Sequence, residues 1–358
     1  MKHILLLIVS VVCVSIAVNA KSAIKWIESE HDFGAFKEDS GIVSCQFKGI
    51  NIASEPIAII SARATCGCTT PKYSRSEIYP GDTITVSVSY NPDARPGRFS
   101  KKIYIKNSLD QEQSELVVKG VVIGSEYTLG SRYPIDCGNV RMQNNIVAIG
   151  EVIKGKAKAV FLSIYNQSTK PVSPILKNVP SYIKSSIIPS EIPSGEQASM
   201  AFHFDAFYCD KWGLVKDTVQ FISDNENDKV YNIEIFANVL PDFSKLTPGE
   251  VMNAPVITLE TDKVNFESVK RDGEKLSKTF YVENNGNNPL EIYRAYSLEE
   301  GIEIEISKTK IKKGKKAIIT VRLSPSLFKG EILNGTINLV VNDPNNPTPK
   351  VRVVGIFE

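Results

Sequence analysis

Apolar and polar residues alternate along this chain in many short runs. In the clearest runs an apolar side chain occupies every second position; these are Ile84, Val86, Val88 and Tyr90, then Met200, Phe202 and Phe204, and then Ile319, Val321 and Leu323. A period of two residues is typical of β-strands with one buried face. Turn-forming residues separate the runs about every ten residues, a spacing typical of β-sandwiches. No convincing amphipathic helix pattern interrupts them, so the sequence predicts an all-β fold.

The same series of runs occurs three times. Each copy begins with an opening motif and later contains a tight turn before a long strand. The opening motifs are residues 32–36, 135–140 and 264–269, and the turns are centred on Gly81, Gly195 and Gly314. Glycine suits such turns because many of them need a positive φ. Each copy has about 100 residues, the size of an immunoglobulin-like domain. We therefore expect three tandem immunoglobulin-like β-sandwich domains.

The expected domains are residues 21–123, 124–240 and 241–358. Two short segments, 123–132 and 241–255, read as linkers, and their length favours a semi-rigid array. The second copy is longer because it has extra residues from Arg141 to Lys158, between its opening motif and its first strong strand. We expect that insert to be a β-excursion or a loop.

The first 20 residues have the composition of a signal peptide. A positive start at Lys2 precedes an apolar stretch, and Val18-Asn19-Ala20 is an acceptable cleavage site. Cys13 raises the alternative of a lipoprotein, although Val12 before it is larger than such sites usually accept. No later apolar stretch is long enough to cross a bilayer. The sequence therefore predicts a periplasmic or secreted protein without a transmembrane segment in its mature chain.

Charge does not suggest a nucleic-acid partner. The formal net charge is +2 and 23% of the residues are charged, which is ordinary for a globular protein. The acidic, amide-rich segments 224–228 and 343–347 could offer oxygen ligands to calcium. They are more simply interpreted as polar turns between two closing strands.

Cysteine provides the strongest candidate chemistry. Removal of the signal peptide leaves five cysteines, and an odd number cannot all pair within one chain. Cys66-Gly67-Cys68 is the candidate site, because the glycine lets the backbone turn and bring both sulfurs to one side. A local disulfide, a disulfide from one of the two to Cys45, a redox-active pair, a metal site and free thiols all remain open. Two thiolates can suffice for Cu(I), whereas an ordinary zinc site needs four ligands.

Two of the other three cysteines are interpreted as core residues. Cys45 alternates with Val43 and Phe47, so we expect it to fill a core position. Cys137 stands where the other opening motifs have Phe33 and Phe266, which also indicates the core. Cys209 lies in a segment that we expect to be an exposed loop. The sequence does not establish whether Cys137 and Cys209 pair.

Asp32-Phe33-Gly34, the Pro80-Gly81 turn and Cys66-Gly67-Cys68-Thr69-Thr70-Pro71 resemble the bacterial exported family known as domain of unknown function 1573. The resemblance is close over residues 32–122 and extends only to strand pattern in the other two copies. It implies an immunoglobulin-like sandwich similar to the major sperm protein, with the cysteine segment in the loop after the third strand. At the corresponding loops the other copies have residues 178–180 and 297–300, without thiols.

No motif of a known catalytic site is present. The sequence contains no Ser-His-Asp arrangement, no His-Glu-x-x-His helix and no glycine-rich phosphate loop. We therefore expect a non-enzymatic binding or scaffolding protein of the cell envelope, with an envelope or secreted protein as its partner. The alternative is a thiol function at Cys66 and Cys68, either disulfide exchange or copper binding. Polysaccharide binding through Trp26 or Trp212 is a weaker hypothesis.

Overall fold

The computed structural model describes residues 22–109, 113–224 and 229–358. The predicted signal peptide and Cys13 lie outside the described residues, as do residues 225–228 of one acidic loop. The described chain is built of β-strands, with two one-turn α-helices, α1 (Glu126–Leu129) and α2 (Pro248–Met252), and two short 3-10 helices, Glu38–Ser40 and Pro325–Leu327. The predicted all-β, immunoglobulin-like fold is confirmed. No helix of the described residues is long and apolar enough to cross a membrane.

The chain divides into two compact units, with the division between Thr128 and Leu129. The first unit holds one sandwich and the second unit holds two. The second and third copies of the pattern are thus parts of one compact unit. The finer boundaries at 123/124 and 240/241 stay predictions.

The first sandwich packs two four-stranded sheets on one core. One sheet has the order β1-β3-β6-β5 and the other has the order β2-β8-β7-β4. The strands are β1 (Ile24–Trp26), β2 (Glu30–Lys37), β3 (Val43–Asn51), β4 (Ile59–Ala64), β5 (Thr69–Tyr73), β6 (Thr83–Tyr90), β7 (Gly97–Asn107) and β8 (Ser114–Ile123). The apolar positions of the alternating runs, including Phe47, Val86, Val88 and Ile103, are buried between the sheets.

The second sandwich has a five-stranded and a four-stranded sheet, ordered β14-β15-β12-β10-β9 and β11-β17-β16-β13. Its strands are β9 (Ile135–Cys137), β10 (Val140–Met142), β11 (Ile146–Ile153), β12 (Ala157–Asn166), β13 (Ile175–Lys177), β14 (Ile183–Ile188), β15 (Gln197–Asp205), β16 (Gly213–Ile222) and β17 (Val230–Leu240). Phe202, Phe204 and Phe221 fill its core.

The third sandwich repeats this design with the sheet orders β18-β20-β24-β22 and β19-β26-β25-β21-β23. Its strands are β18 (Ile257–Leu259), β19 (Lys263–Val269), β20 (Leu276–Asn284), β21 (Leu290–Ser297), β22 (Ile302–Ile306), β23 (Lys310–Ile311), β24 (Lys316–Leu323), β25 (Ile332–Val341) and β26 (Lys350–Phe357). Its core includes Ile319, Val321 and Leu323 from the long alternating run.

In all three sandwiches an early strand pairs in parallel with the last strand. The pairs are β2 with β8, β11 with β17 and β19 with β26. The register of each pair shifts once, between Asp32 and Ala35, between Ala148 and Gly150, and between Asn265 and Ser268. A residue with positive φ lies at or within each shift: Gly34 (67°), Gly150 (75°) and Glu267 (60°). The early strand therefore carries a β-bulge in every copy.

The position of the bulge in β11 shows that the predicted insert in the second copy was wrong. Residues 141–158 are not an insert, because they contain β11, which is the counterpart of β2 and β19. Ile149, rather than Cys137, occupies the place of Phe33 and Phe266. The added element is β9 alone, because β10 pairs with β12 in the register in which β1 pairs with β3 and β18 with β20. The sequence misled because Asp136-Cys137-Gly138 forms the same local turn as Asp32-Phe33-Gly34, with the aspartate Oδ1 accepting from the glycine amide at 2.8 Å in both.

A buried asparagine occurs at the same place in each sandwich and was missed by sequence reasoning. Asn51, Asn166 and Asn284 each end a strand, and their side-chain Nδ2 groups donate to two backbone carbonyls at 2.8–3.0 Å. Each Oδ1 accepts from the amide two residues later. Each of these asparagines has a proline five residues further on, and that spacing was a readable signal. Because these bonds satisfy buried polar groups, the asparagine fixes the turn region that follows its strand.

The second and third sandwiches meet at the start of β16. The Trp212 ring stacks on Tyr293 with centroids 4.3 Å apart, and the amide of Leu214 donates to the Tyr296 hydroxyl at 2.8 Å. Arg294 donates to the carbonyls of Trp212 and Leu214 at 2.7 and 2.9 Å. Stacking and charge-assisted hydrogen bonds thus act together at this junction.

Candidate functional site

The Cys66-Gly67-Cys68 segment connects the two sheets of the first sandwich. It leaves β4 at Ala64 and enters β5 at Thr69. The amide of Thr65 donates to the carbonyl of Lys102 at 3.0 Å, and the amide of Asn91 donates to the carbonyl of Cys68 at 2.9 Å. Both ends of the segment are therefore held by neighbouring strands. It follows the fourth strand rather than the third, because the short β1 precedes the strands seen in the sequence.

Cys66 and Cys68 form a disulfide, with 5.3 Å between their Cα atoms. Both residues are half-buried and Gly67 is exposed. The buried Thr69 places its Oγ1 3.6 Å from the sulfur of Cys66 and 3.7 Å from that of Cys68. The hydroxyl is thus a polar group in contact with both sulfurs. Only its place in the family motif singled out Thr69 in the sequence.

Cys45 does not join this pair. It lies on β3 opposite Val88 of β6, and β6 separates β3 from β5. Two strand spacings amount to about 10 Å, whereas bridged Cα atoms are less than about 7 Å apart. Burial raises the pKa of the Cys45 thiol to about 11, so it stays protonated at neutral pH. The structure assigns Cys45 to the edge of the core, as its alternation predicted.

Cys137 and Cys209 are both fully buried. The segment around Cys209 is largely exposed, as expected, at Phe207, Tyr208, Asp210 and Lys211, but Cys209 itself is buried in the core with Ala206. Gly138 lies beside Ser223, just beyond the end of β16, whereas Cys209 precedes its start. The length of β16, about 30 Å, separates the two thiols, so they cannot pair. Burial raises the pKa of Cys137 to about 12 and also raises that of Cys209.

Among the described residues, no group of three or more His, Cys, Asp or Glu side chains is arranged to hold a metal ion. Reduction of Cys66 and Cys68 would provide two soft thiolates. Two such ligands can suffice for Cu(I), whereas a tetrahedral zinc site would need two more ligands. In the second acidic loop, the buried carboxylate of Asp343 accepts from the amides of Ile257, Asn345 and Asn346, so it serves the turn.

Both tryptophan rings pack against neighbouring residues. Trp212 has Tyr293 on one side and the ammonium of Lys154 5.1 Å from its ring centroid. Trp26 is half-buried and packs against Gly49, where a Cβ would lie 3.0 Å from the ring. Both rings are therefore used in packing.

The chain is, at the level of class, an all-β protein built of immunoglobulin-like sandwiches. The family described as "Protein of unknown function (DUF1573)" matches residues 24–122 and 257–356, more than half of the sequence. The chain belongs to this family. The second match falls on the third sandwich, which was expected to agree only in strand pattern, so membership of the family does not require the cysteines.

Solved structures are similar to this chain only at low identity and with TM-scores below 0.5. A protein of unknown function from Porphyromonas gingivalis W83 is 17% identical, with 61% of this chain and 100% of that chain covered and a TM-score of 0.49. A three-immunoglobulin segment of titin, I67–I69, is 10% identical over 95% of this chain and 100% of its own, with a TM-score of 0.26. The complex of Dpr2 with DIP-Theta is also 10% identical, over 94% and 100%, with a TM-score of 0.31. No curated protein matches significantly.

Proposed function

We propose that this chain is an exported, non-enzymatic binding or scaffolding protein of the cell envelope whose partner is an envelope or secreted protein. The observation that carries the proposal is a set of internal features repeated in all three sandwiches, combined with large apolar side chains on the outer surface. All three sandwiches share the parallel strand pair and the buried asparagine, whereas Phe161, Ile188, Ile332 and Ile356 are 61–73% exposed. Exposed apolar surface of this kind supports contact with another protein.

The junction in the second unit also supports binding. Trp212, Arg294 and Tyr296 hold two sandwiches together, so their outer faces keep a constant arrangement within that unit. Binding surfaces on pre-organised scaffolds need less ordering when the partner arrives.

The test is cross-linking in the envelope of cells that express the full chain, followed by identification of the cross-linked proteins. We expect discrete adducts that disappear when exposed apolar residues of one sandwich are replaced by serine. The purified protein is also assayed for catalytic turnover, which tests the alternative that it is an enzyme. Turnover abolished by one point substitution would refute a non-enzymatic role.

A second candidate is disulfide exchange at Cys66 and Cys68, and the half-exposed disulfide beside exposed Gly67 favours it. In this reaction a thiolate of a partner dithiol attacks one sulfur and forms a mixed disulfide. The second partner thiol then releases a Cys66/Cys68 dithiol, and the partner leaves oxidised with a new disulfide. Copper binding would follow from the reduced state of the same pair.

Thiol trapping and intact mass of the full chain test this second candidate. Rapid reduction by a model dithiol, and a phenotype of Cys66→Ser, would support exchange. A disulfide that resists mild reductant would remove both exchange and copper binding, and it would leave the binding role intact.

A further inference from the structure

The three sandwiches end one sheet with the same edge strand: β5, β14 and β22. In an antiparallel pair, alternate residues of an edge strand bond to the neighbour, and those between them turn N–H and C=O groups to the open side. The bonds Asn91 N–Cys68 O, Asp205 N–Tyr182 O and Ser324 N–Gly301 O establish which residues alternate. The residues whose backbone groups face the open side thus include Pro71 in β5, Ser185 in β14 and Ile304 in β22.

These three residues are register equivalents. They lie opposite Val88, Phe202 and Val321, and each of those follows its turn glycine, Gly81, Gly195 or Gly314, by seven residues. The three edge strands can therefore be compared at one structurally equivalent position.

The edges of the first and third sandwiches are protected. Pro71 has no N–H, so the middle of the open side of β5 lacks a donor. The β22 edge carries exposed Glu303 and Glu305, which pair with Lys275 at 3.0 Å and with Arg322. Proline and charge are the usual protections against the addition of a further strand.

The β14 edge has no proline within the strand, and it carries one charged residue where the β22 edge carries two. Ser185 and Ile187 turn their backbone groups to the open side, and the one charge on the strand is Lys184. The outer face beside it carries three rows, Ala159–His203–Lys184, Phe161–Ala201–Ser186 and Ser163–Ser199–Ile188. Phe161 is 68% exposed and Ile188 is 67% exposed. No carboxylate occupies these nine positions.

We infer that β14 is a docking edge for an extended partner segment that carries an acidic residue opposite Lys184 and an apolar residue opposite Ile188. The segment adds as an antiparallel strand, its backbone bonds to Ser185 and Ile187, and its side chains complement the cationic and apolar ends of the face. The inference rests on the proposed binding function and gives its partner surface.

A second copy of β14 fits this edge less well. Antiparallel self-pairing places Lys184 opposite Ser186 or Ile188, and neither supplies a carboxylate. Six residues also span only about 20 Å, a short contact for a stable dimer.

The probe is a capped synthetic peptide, Val-Thr-Thr-Thr-Glu-Thr, with a control peptide in which lysine replaces the glutamate. Added to the full chain, the first peptide should bind at least threefold more tightly than the second. Residue-resolved hydrogen exchange should slow at the amides of Ser185 and Ile187. The amides of Lys184 and Ser186, which already bond within the sheet, should not change.

Ser185→Pro places the proline of the first sandwich at the equivalent position and should weaken binding at least tenfold. Ser185→Thr keeps the amide and should bind as the parent does. Lys184→Glu should reverse the preference between the peptides, and this variant tests the inference even if the proline variant does not fold.

Unchanged exchange at Ser185 and Ile187, or equal binding by a folded Ser185→Pro variant, would overturn the inference. Dimers that Ser185→Pro abolishes would also overturn it, because the occupant would then be a second copy. If envelope cross-links persist in Ser185→Pro, the binding function stands and its surface lies elsewhere. If the parent chain forms no cross-links but binds the peptide as described, the edge stands and the proposed function fails.

Discussion

At the scale of single residues, the bulge of the early strand places different residue types in the same backbone conformation, with a positive φ. Gly34 and Gly150 adopt positive φ without steric cost, whereas Glu267 holds a φ of 60° with an exposed side chain. The left-handed region costs a residue with a Cβ about 1–2 kcal/mol. The bulge of the third sandwich therefore carries strain that the equivalent bulges of the other two lack.

Glu267→Gly should raise the free energy of unfolding of the second unit by about 0.5–1 kcal/mol, because relief of strain exceeds the added chain entropy of glycine. Urea unfolding measures the change. Gly34→Ala is the reverse experiment, since a Cβ there meets nothing within 4 Å and only the φ of 67° opposes it. A neutral or destabilising Glu267→Gly would contradict this account.

Glu38 is a buried carboxylate that accepts hydrogen bonds from the amides of Ala94 and Ser125 and from the hydroxyl of Thr128, at 2.6–2.9 Å. Burial alone would raise the pKa of Glu38, but these hydrogen bonds outweigh it and hold the pKa below the ordinary value of 4.5. The folded state thus favours the charged carboxylate. Its contribution is complete above the unfolded pKa and is lost as the pH falls through the folded pKa.

Glu38→Gln should therefore destabilise the first unit by about 1–3 kcal/mol at neutral pH. The loss should shrink as the pH falls from about 4.5, where the unfolded chain begins to bind the proton, through the lower pKa of the folded carboxylate. Chemical unfolding of both proteins at several pH values measures the difference. A constant difference down to strongly acidic pH would show that the charge of Glu38 is not what matters.

At the scale of elements, the cysteine loop is short and its ends are already fixed. Thr65 and Cys68 bond to neighbouring strands, and the disulfide closes only three residues. Stabilisation by a disulfide through chain entropy decreases as the closed loop shortens. The bridge therefore contributes little to holding β4 and β5 in place.

The double variant Cys66→Ser/Cys68→Ser should remain folded and lose no more than about 1.5 kcal/mol of stability. Thermal unfolding of the variant beside the parent measures this loss. Thr69→Val is a useful control, because it removes the hydroxyl near both sulfurs and keeps them bonded. A loss of folding in the double variant would show that the disulfide is a structural necessity.

The fold was predictable from local pattern, but residue equivalence between copies was not. Period-two runs located strands such as β6, β15 and β24, since one face of each is buried. The position of β11 was missed because Asp136 makes the same turn as Asp32, and only sheet pairing separates them. The burial of Cys209 was missed because the packing of a single loop side chain depends on residues distant in the sequence. The open edge at Ser185 was invisible without the register that aligns it with Pro71.

At the scale of the whole molecule, the second unit depends on a junction that leaves no room for a side chain at Gly213. A Cβ there would lie 2.6 Å from the Tyr296 ring, and the φ of Gly213 is 67°. The stack of Trp212 on Tyr293 and the bonds of Arg294 lie next to it. Close backbone approach is therefore a condition of the contact between the second and third sandwiches.

Gly213→Val should displace Tyr296 and uncouple these two sandwiches. We expect calorimetry to show two transitions for the second unit of the variant where the parent shows one. Gly155→Ala controls for backbone strain, because Gly155 has a φ of 81° with nothing within 4 Å of a Cβ. A single transition in Gly213→Val would mean that the junction couples the sandwiches by other contacts.

The parallel pairing of an early strand with the last strand also determines how each sandwich responds to mechanical force. Pulling the two ends of a sandwich apart drags β2 and β8, or their counterparts, in opposite directions along their common axis. Their evenly spaced hydrogen bonds are then loaded together in shear rather than opened one after another. Each sandwich should thus resist tension applied along the chain more strongly than one whose terminal strands were opened one hydrogen bond at a time.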